Sequence, residues 1–194
     1  MKVVLGLGNP GPEYAATRHN AGWMAVDALA KRLGRFQGWT KGPGMSRGEG
    51  RAGRHTVLLA KPERYMNRSG DAFRALLAEG WTASEILVAC DEVYLPLGSL
   101  RIRSRGGTAG HQGLESIALS AGTDAFPRLR IGVGPAPTSD RLKEYVLEPF
   151  IEEEKAVLPR VIEAAASAAF DAAAEGLTQA MNRWNRFVLD PVEP

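Results

Sequence analysis

The residues able to do chemistry in this chain sit in short loops that follow apolar runs. His19 lies in Thr17-Arg18-His19-Asn20, soon after the run Lys2–Leu7. An imidazole changes protonation near neutral pH, so a histidine in such a loop can act as a general base. Asp91 and Glu92 follow the run Ile86-Leu87-Val88-Ala89-Cys90. The carboxyl end of a buried strand is where open α/β sheets bind ligands. An aspartate there can orient a neutral histidine and stabilise its protonated form. Asn67, in Tyr65-Met66-Asn67-Arg68-Ser69-Gly70, brings an amide that can donate to a developing oxyanion. The same amide can instead close an Asx turn or cap the next helix. Arg101, Arg103 and Arg105 alternate ahead of Gly106-Gly107. That pattern puts cations on one side of a strand, next to glycines whose backbone can approach a phosphate. Each feature alone has a plain structural reading: a hydrogen-bonded histidine, a cap, a solvated strand face. Together they supply a base, an acid to orient it, amide donors and a cationic track. His55 sits in a polar turn before a strand and reads as structural.

One further motif points elsewhere. Gly6-Leu7-Gly8-Asn9-Pro10-Gly11 fits the G-x-G-x-x-G pattern of dinucleotide sites. That pattern needs a helix N-terminus at the glycines and an acid ending a second strand about 20 residues on. Here the loop continues through Pro12-Glu13-Tyr14 to His19, and the later interval reads as a helix around Asp27. A nucleotide-dependent oxidoreductase is therefore the weaker reading.

The elements that must carry these loops alternate along the chain. Strands are expected at Lys2–Leu7, His55–Lys61, Glu85–Cys90, Ser99–Arg103 and Arg128–Gly134. Helices are expected at Ala21–Leu33, with Asn20 as cap and Gly34 as stop, and at Ser69–Glu79, Leu114–Ala121, Ile151–Ala174 and Leu177–Trp184. The Gly- and Arg-rich stretch 36–55 reads as a hairpin or loop. Residues 138–147 are expected to form a short helical lid over the site. In the long helix, Val157, Val161, Ile162 and Phe170 form the expected core stripe, leaving Glu152, Glu153 and Glu154 in solvent near the helix N-terminus. The fold class is α/β: one domain over residues 1–187, an open, mixed, twisted sheet flanked by helices on both faces, in three layers. The tail 188–194 is expected to fray.

Composition sets the bounds. The 194 residues are 44% hydrophobic and 24% charged, which fits a globular domain. The lone Cys90 excludes an internal disulfide framework and a multi-cysteine zinc site, and fits a reducing compartment. No apolar run is long enough for a membrane span. The net charge of +2 hides an asymmetry: residues 1–110 hold 16 Lys+Arg against 9 Asp+Glu, and residues 111–194 hold 8 against 13. That distribution suits a polyanion facing the first part.

Several of these segments, in order and in register from residue 3 to about 187, resemble the bacterial-type peptidyl-tRNA hydrolase family. They are Gly6–Tyr14, Thr17–Gly22, Lys61-Pro62 with Tyr65–Gly70, Asp91-Glu92 with Leu95-Pro96 and Gly98, Gly110-His111 with Gly113-Leu114, and Arg128–Gly134. The resemblance implies a metal-independent, cofactor-free hydrolase that cleaves the ester between peptide and tRNA and returns the tRNA to translation. It implies His19 as general base, Asp91 as its orienting acid, and Asn9 as the residue that distinguishes a blocked peptidyl group from a free aminoacyl group. Tyr14, Tyr65 and Asn67 would line the site for the tRNA end and the peptide, and Arg103 and Arg130 would meet tRNA phosphates. The expected protein is a cytoplasmic monomer with peptidyl-tRNA as its partner and no metal. The chain departs from the family pattern at Cys90, at Tyr94 where an aspartate is common, at Arg64 and Arg105, and at Gln112, which replaces a site asparagine. Gln112 keeps the amide but places it one methylene further out. A non-catalytic RNA-binding relative is the alternative within the fold; the joint presence of His19, Asp91, Asn9 and Asn67 argues against it.

Overall fold

The computed structural model describes residues 1–134 and 141–189. Seven strands form one sheet: β1 (Val3–Gly6), β2 (Thr40–Gly42), β3 (Met45–Ala52), β4 (His55–Pro62), β5 (Ile86–Pro96), β6 (Leu100–Arg103) and β7 (Arg128–Gly134). Their spatial order is β2-β3-β4-β1-β5-β7-β6. The four central strands run parallel, and the pairs β2–β3, β3–β4 and β6–β7 are antiparallel. The expected open mixed sheet is therefore observed, and the stretch 36–55 resolves into the β2–β3–β4 meander.

Among the described residues six helices cover the sheet: α1 (Ala21–Arg32), α2 (Ser69–Ala78), α3 (Gln112–Ala121), α4 (Leu142–Leu147), α5 (Glu152–Ala174) and α6 (Leu177–Trp184). Period-two alternation divides the central strands between two cores. Val4, Val57, Leu59, Leu87 and Ala89 face α1 and α5. Val3, Leu5, Leu58, Ile86, Val88 and Cys90 face α2 and α3. Cys90 is buried among apolar groups, which push its thiol well above the usual range, the adjacent Asp91 carboxylate adding to the effect. It is a packing residue.

Three expectations change in detail. The core face of α5 holds Val161 of the expected stripe but is otherwise made mostly of alanines, Ala164, Ala165, Ala168, Ala169 and Ala172, while Val157, Ile162 and Phe170 are only half-buried. Small side chains let a long helix lie close against α1. Glu154 does not face solvent: it pairs with Arg18 across the chain and accepts the Ile151 N–H. The lid expectation for 138–147 is met by α4 over Leu142–Leu147; residues 138–140 and the tail from 190 onward lie outside the described residues. Among the described residues, no helix is long and apolar enough to cross a membrane.

The glycine motif after β1 serves packing. A Cβ on Gly6 would lie 2.5 Å from the Gly22 carbonyl oxygen, and one on Gly22 would lie 2.3 Å from the Ala89 carbonyl oxygen. The start of α1 therefore sits directly on β1 and β5, and only glycine fits at the crossing. The helix begins at Ala21, well past the glycines, so no helix N-terminus stands where a pyrophosphate would need one.

Candidate active site

Strand β1 ends at Gly6, opposite Ala89 of β5. Beyond that point β5 continues paired with β7 and reaches Pro96 rather than stopping at Cys90. The carboxyl ends of the parallel strands thus open into a cleft of about 470 Å³. Asn9, Tyr14, His19, Tyr65, Asn67, Asp91 and Gln112 all line it, so the expected site residues other than the arginines converge on one space.

His19 lies in the single helical turn Arg18–Asn20 that leads into α1. Its Nδ1 lies 2.9 and 3.0 Å from the two carboxylate oxygens of Asp91. A carboxylate only accepts, so Nδ1 carries the proton and Nε2 keeps its lone pair. Asp91 is 3% exposed. Burial pushes its carboxyl up, but the two imidazoles beside it outweigh that by charge and by hydrogen bond, and hold it well below the usual carboxylate range.

The second imidazole is His111. Its Nε2 lies 2.9 Å from Asp91 Oδ1. Its Nδ1 accepts the backbone N–H groups of Gly113 and Leu114 at 3.1 and 3.3 Å. That ring therefore caps α3, which begins at Gln112 rather than at the expected Leu114. With Nδ1 accepting, Nε2 must carry the proton it gives to Asp91. The side chains of His19, Asp91 and His111 lie close enough to hold a metal ion by residue type. The tautomer of His111 opposes that use, because metal ligation at Nε2 would move the proton to Nδ1, against two N–H groups.

Asn9 is held on three sides. Its backbone N–H donates to Asn20 Oδ1 at 2.8 Å, and its carbonyl accepts from Asn20 Nδ2 at 3.0 Å. Its own Oδ1 accepts the Met66 N–H at 2.7 Å. The amide orientation follows: Oδ1 is engaged, and Nδ2 is the donor left for the cleft. Asn20 was expected to cap α1, yet its side chain makes no cap bond and instead fixes Asn9. Asn67 is exposed and makes no side-chain hydrogen bond among the described residues, so its amide is available. Tyr14 and Tyr65 meet edge to face, with ring centroids 6.3 Å apart, on the same wall. Gln112 is exposed at the first turn of α3.

Arg18, which sequence reasoning passed over, is 3% exposed. It donates to the carbonyls of Tyr145, Glu148 and Pro149, pairs with Glu154, and stacks on Tyr145 at 4.2 Å. It thereby ties α4, whose Leu142, Lys143, Val146 and Leu147 line the cleft, to the turn that carries His19. Nothing in its local spacing marks this, because its partners lie more than 120 residues away.

A second hollow of about 400 Å³ adjoins the cleft and contains Arg101, Arg103 and Arg105. No ion pair involves these three among the described residues. Arg130, expected to meet phosphate, already pairs with Glu92 and donates to the Gly107 carbonyl at 2.6 Å. Buried Arg128 donates to the carbonyls of Gly106, Gly107 and Asp124 and shapes the glycine loop.

A family model described as peptidyl-tRNA hydrolase matches residues 3–191. The peptidyl-tRNA hydrolase of Synechococcus sp. (strain JA-3-3Ab) is 47% identical, covering 95% of this chain and 83% of that protein. The peptidyl-tRNA hydrolase of Moorella thermoacetica is 45% identical, covering 94% and 97%. The crystal structure of peptidyl-tRNA hydrolase from Acinetobacter baumannii superposes with a TM-score of 0.86 at 34% identity, covering 97% of this chain and 96% of that one. The chain belongs to the peptidyl-tRNA hydrolase family.

Proposed function

We propose that this peptidyl-tRNA hydrolase cleaves the ester between the peptide and the tRNA with His19 as general base. The observation that carries the reading is the His19–Asp91 pair, which leaves Nε2 of a nearly buried imidazole unprotonated at the cleft. Nε2 takes a proton from water as the water attacks the ester carbonyl. The imidazolium that forms is stabilised by the Asp91 carboxylate, which the two imidazoles beside it hold ionised by charge and by hydrogen bond. Charge then builds on the former carbonyl oxygen, and the amides of Asn9 and Asn67, both at the cleft, are donors that can meet it. When the tetrahedral intermediate collapses, the proton on Nε2 passes to the leaving ribose oxygen, and peptide and tRNA part. An ester needs no stronger electrophilic aid. Tyr14, Tyr65 and Gln112 bound the space for the substrate, and Arg101, Arg103 and Arg105 supply sequence-independent phosphate affinity. Arg130 contributes by holding Glu92 and the glycine loop in place. One chain supplies every group, so the enzyme acts as a monomer. Its substrate arises where translation runs, which assigns it to the cytoplasm.

The test is hydrolysis of an N-acetylated aminoacyl-tRNA by the parent and by His19→Ala. Loss of turnover in the variant, with the fold intact by circular dichroism, supports the mechanism; equal turnover removes His19 from it.

A further inference from the structure

The catalytic cleft and the arginine hollow share one wall, formed by Glu92, Tyr94 and Ala109. Glu92 is already engaged: one carboxylate oxygen takes Arg130 and the other accepts the Tyr94 backbone N–H at 3.1 Å. Tyr94 is different. Its side chain makes no hydrogen bond and no aromatic pair among the described residues, and the residue is 63% exposed. A large ring left in water beside two concave sites is surface available for a ligand.

The backbone places it there. Strand β5 pairs Glu92 with Gly132 of β7 and next pairs Pro96 with Gly134, so four steps on β5 span two on β7. The extra residues make a bulge in β5, and Tyr94 stands in it. Such irregularities beside active sites re-aim a side chain. The bulge depends on its partner strand: a Cβ on Gly132 would lie 2.1 Å from the Pro96 carbonyl oxygen.

We infer that Tyr94 is a stacking platform for the terminal base of the RNA strand that carries the ester. The inference rests on the reading of the cleft as the ester-cleaving site. The ester carbon lies at His19, and the phosphates are drawn to Arg101, Arg103 and Arg105. The ribose joined to the ester must therefore lie across the wall between them, and its base is the group that meets Tyr94. The rest of the cleft lining, with Tyr14, Tyr65 and α4, is left for the peptide and the remainder of the strand end. Stacking on a tyrosine face accepts any base and suits a single-stranded end. Tyr94 is thus a binding residue, with its effect on substrate capture rather than on the chemical step.

The experiment has two readouts. Initial rates on N-acetylphenylalanyl-tRNA give KM and kcat for the parent, Tyr94→Phe, Tyr94→Trp and Tyr94→Ala. A short acceptor-stem RNA hairpin with 2-aminopurine as its unpaired 3′ base reports stacking as fluorescence quenching on binding. Tyr94→Ala should raise KM roughly tenfold and abolish the quenching, with the loss carried by KM rather than kcat. Tyr94→Phe and Tyr94→Trp should keep both KM and quenching near the parent. Unchanged KM and quenching in Tyr94→Ala would overturn the inference. So would a Phe variant as defective as Ala, which would make the hydroxyl the active group, or a KM effect that vanishes with N-acetylglycyl-tRNA, which would place the ring on the peptide. A parent that leaves the ester intact would instead sink the reading of the cleft itself.

Discussion

The cleft that holds His19 and Asp91 and the arginine hollow beside it are built by opposite rules. In the cleft the buried polar groups hold one another. His19 and His111 share Asp91, Asn20 grips both backbone groups of Asn9, and Met66 takes its side-chain oxygen. The ring orientations of the two histidines and the amide of Asn9 are thereby set before substrate arrives. In the hollow, Arg101, Arg103 and Arg105 have no ion-pair partner among the described residues, and the two nearer the glycine loop are exposed. Chemistry needs donors fixed to within fractions of an ångström. Phosphate affinity needs charge at a wet surface, where long side chains adapt to whichever tRNA arrives.

Mutations should separate these rules. The largest effect is expected for Asp91→Asn. An amide offers one acceptor where the carboxylate serves two imidazole N–H groups, and it does not stabilise the imidazolium. Turnover should fall by roughly 10³- to 10⁴-fold, as for the equivalent change in other base–acid pairs, with KM little altered; steady-state kinetics decides. Asn20→Ala touches no substrate, yet it frees Asn9 on two sides. It should lower kcat by on the order of 10²-fold if Asn9 is an oxyanion donor. Rescue by Asn20→Asp should be poor, because a carboxylate cannot donate to the Asn9 carbonyl. In the hollow, Arg103→Ser should weaken tRNA capture and lessen the slope of log KM against log salt by about 1. A change in kcat there would blur the contrast between the two regions.

The smallest effect expected is on stability in acid. Asp91 titrates below its unfolded value, so its contribution is present in full above the ordinary carboxylate range and is lost as the pH falls through the folded value. The parent should therefore lose stability at low pH more steeply than Asp91→Asn, as denaturant unfolding across that range would show.

Much of the fold can be read from the chain. The apolar runs at residues 3–7 and 86–90 become central strands because both faces of a parallel sheet are buried, and their alternate residues divide cleanly between the two cores. The expected helix bounds for residues 21–33, 69–79, 151–174 and 177–184 hold to within a residue or two because apolar spacing and stop residues act locally. Local signals misled where a long-range partner offered a better bond. Asn20 looks like a cap but binds Asn9, and Glu154 looks solvated but meets Arg18 from 136 residues away. That His111 both caps α3 and shares Asp91 with His19 appears only once β5 and α3 are packed together.

By itself the sequence determined which chemistry the protein holds: a histidine, an acid, amides and a cationic strand, in an order that resembles one hydrolase family. Side-chain type and short-range spacing are enough for that. The tertiary structure decided which nitrogen of His19 is free, which amide of Asn9 faces the cleft, that Arg130 is engaged by Glu92, and that Tyr94 stands between two sites. Those outcomes depend on hydrogen bonds and strand register between segments far apart in the chain, where no local periodicity carries the information.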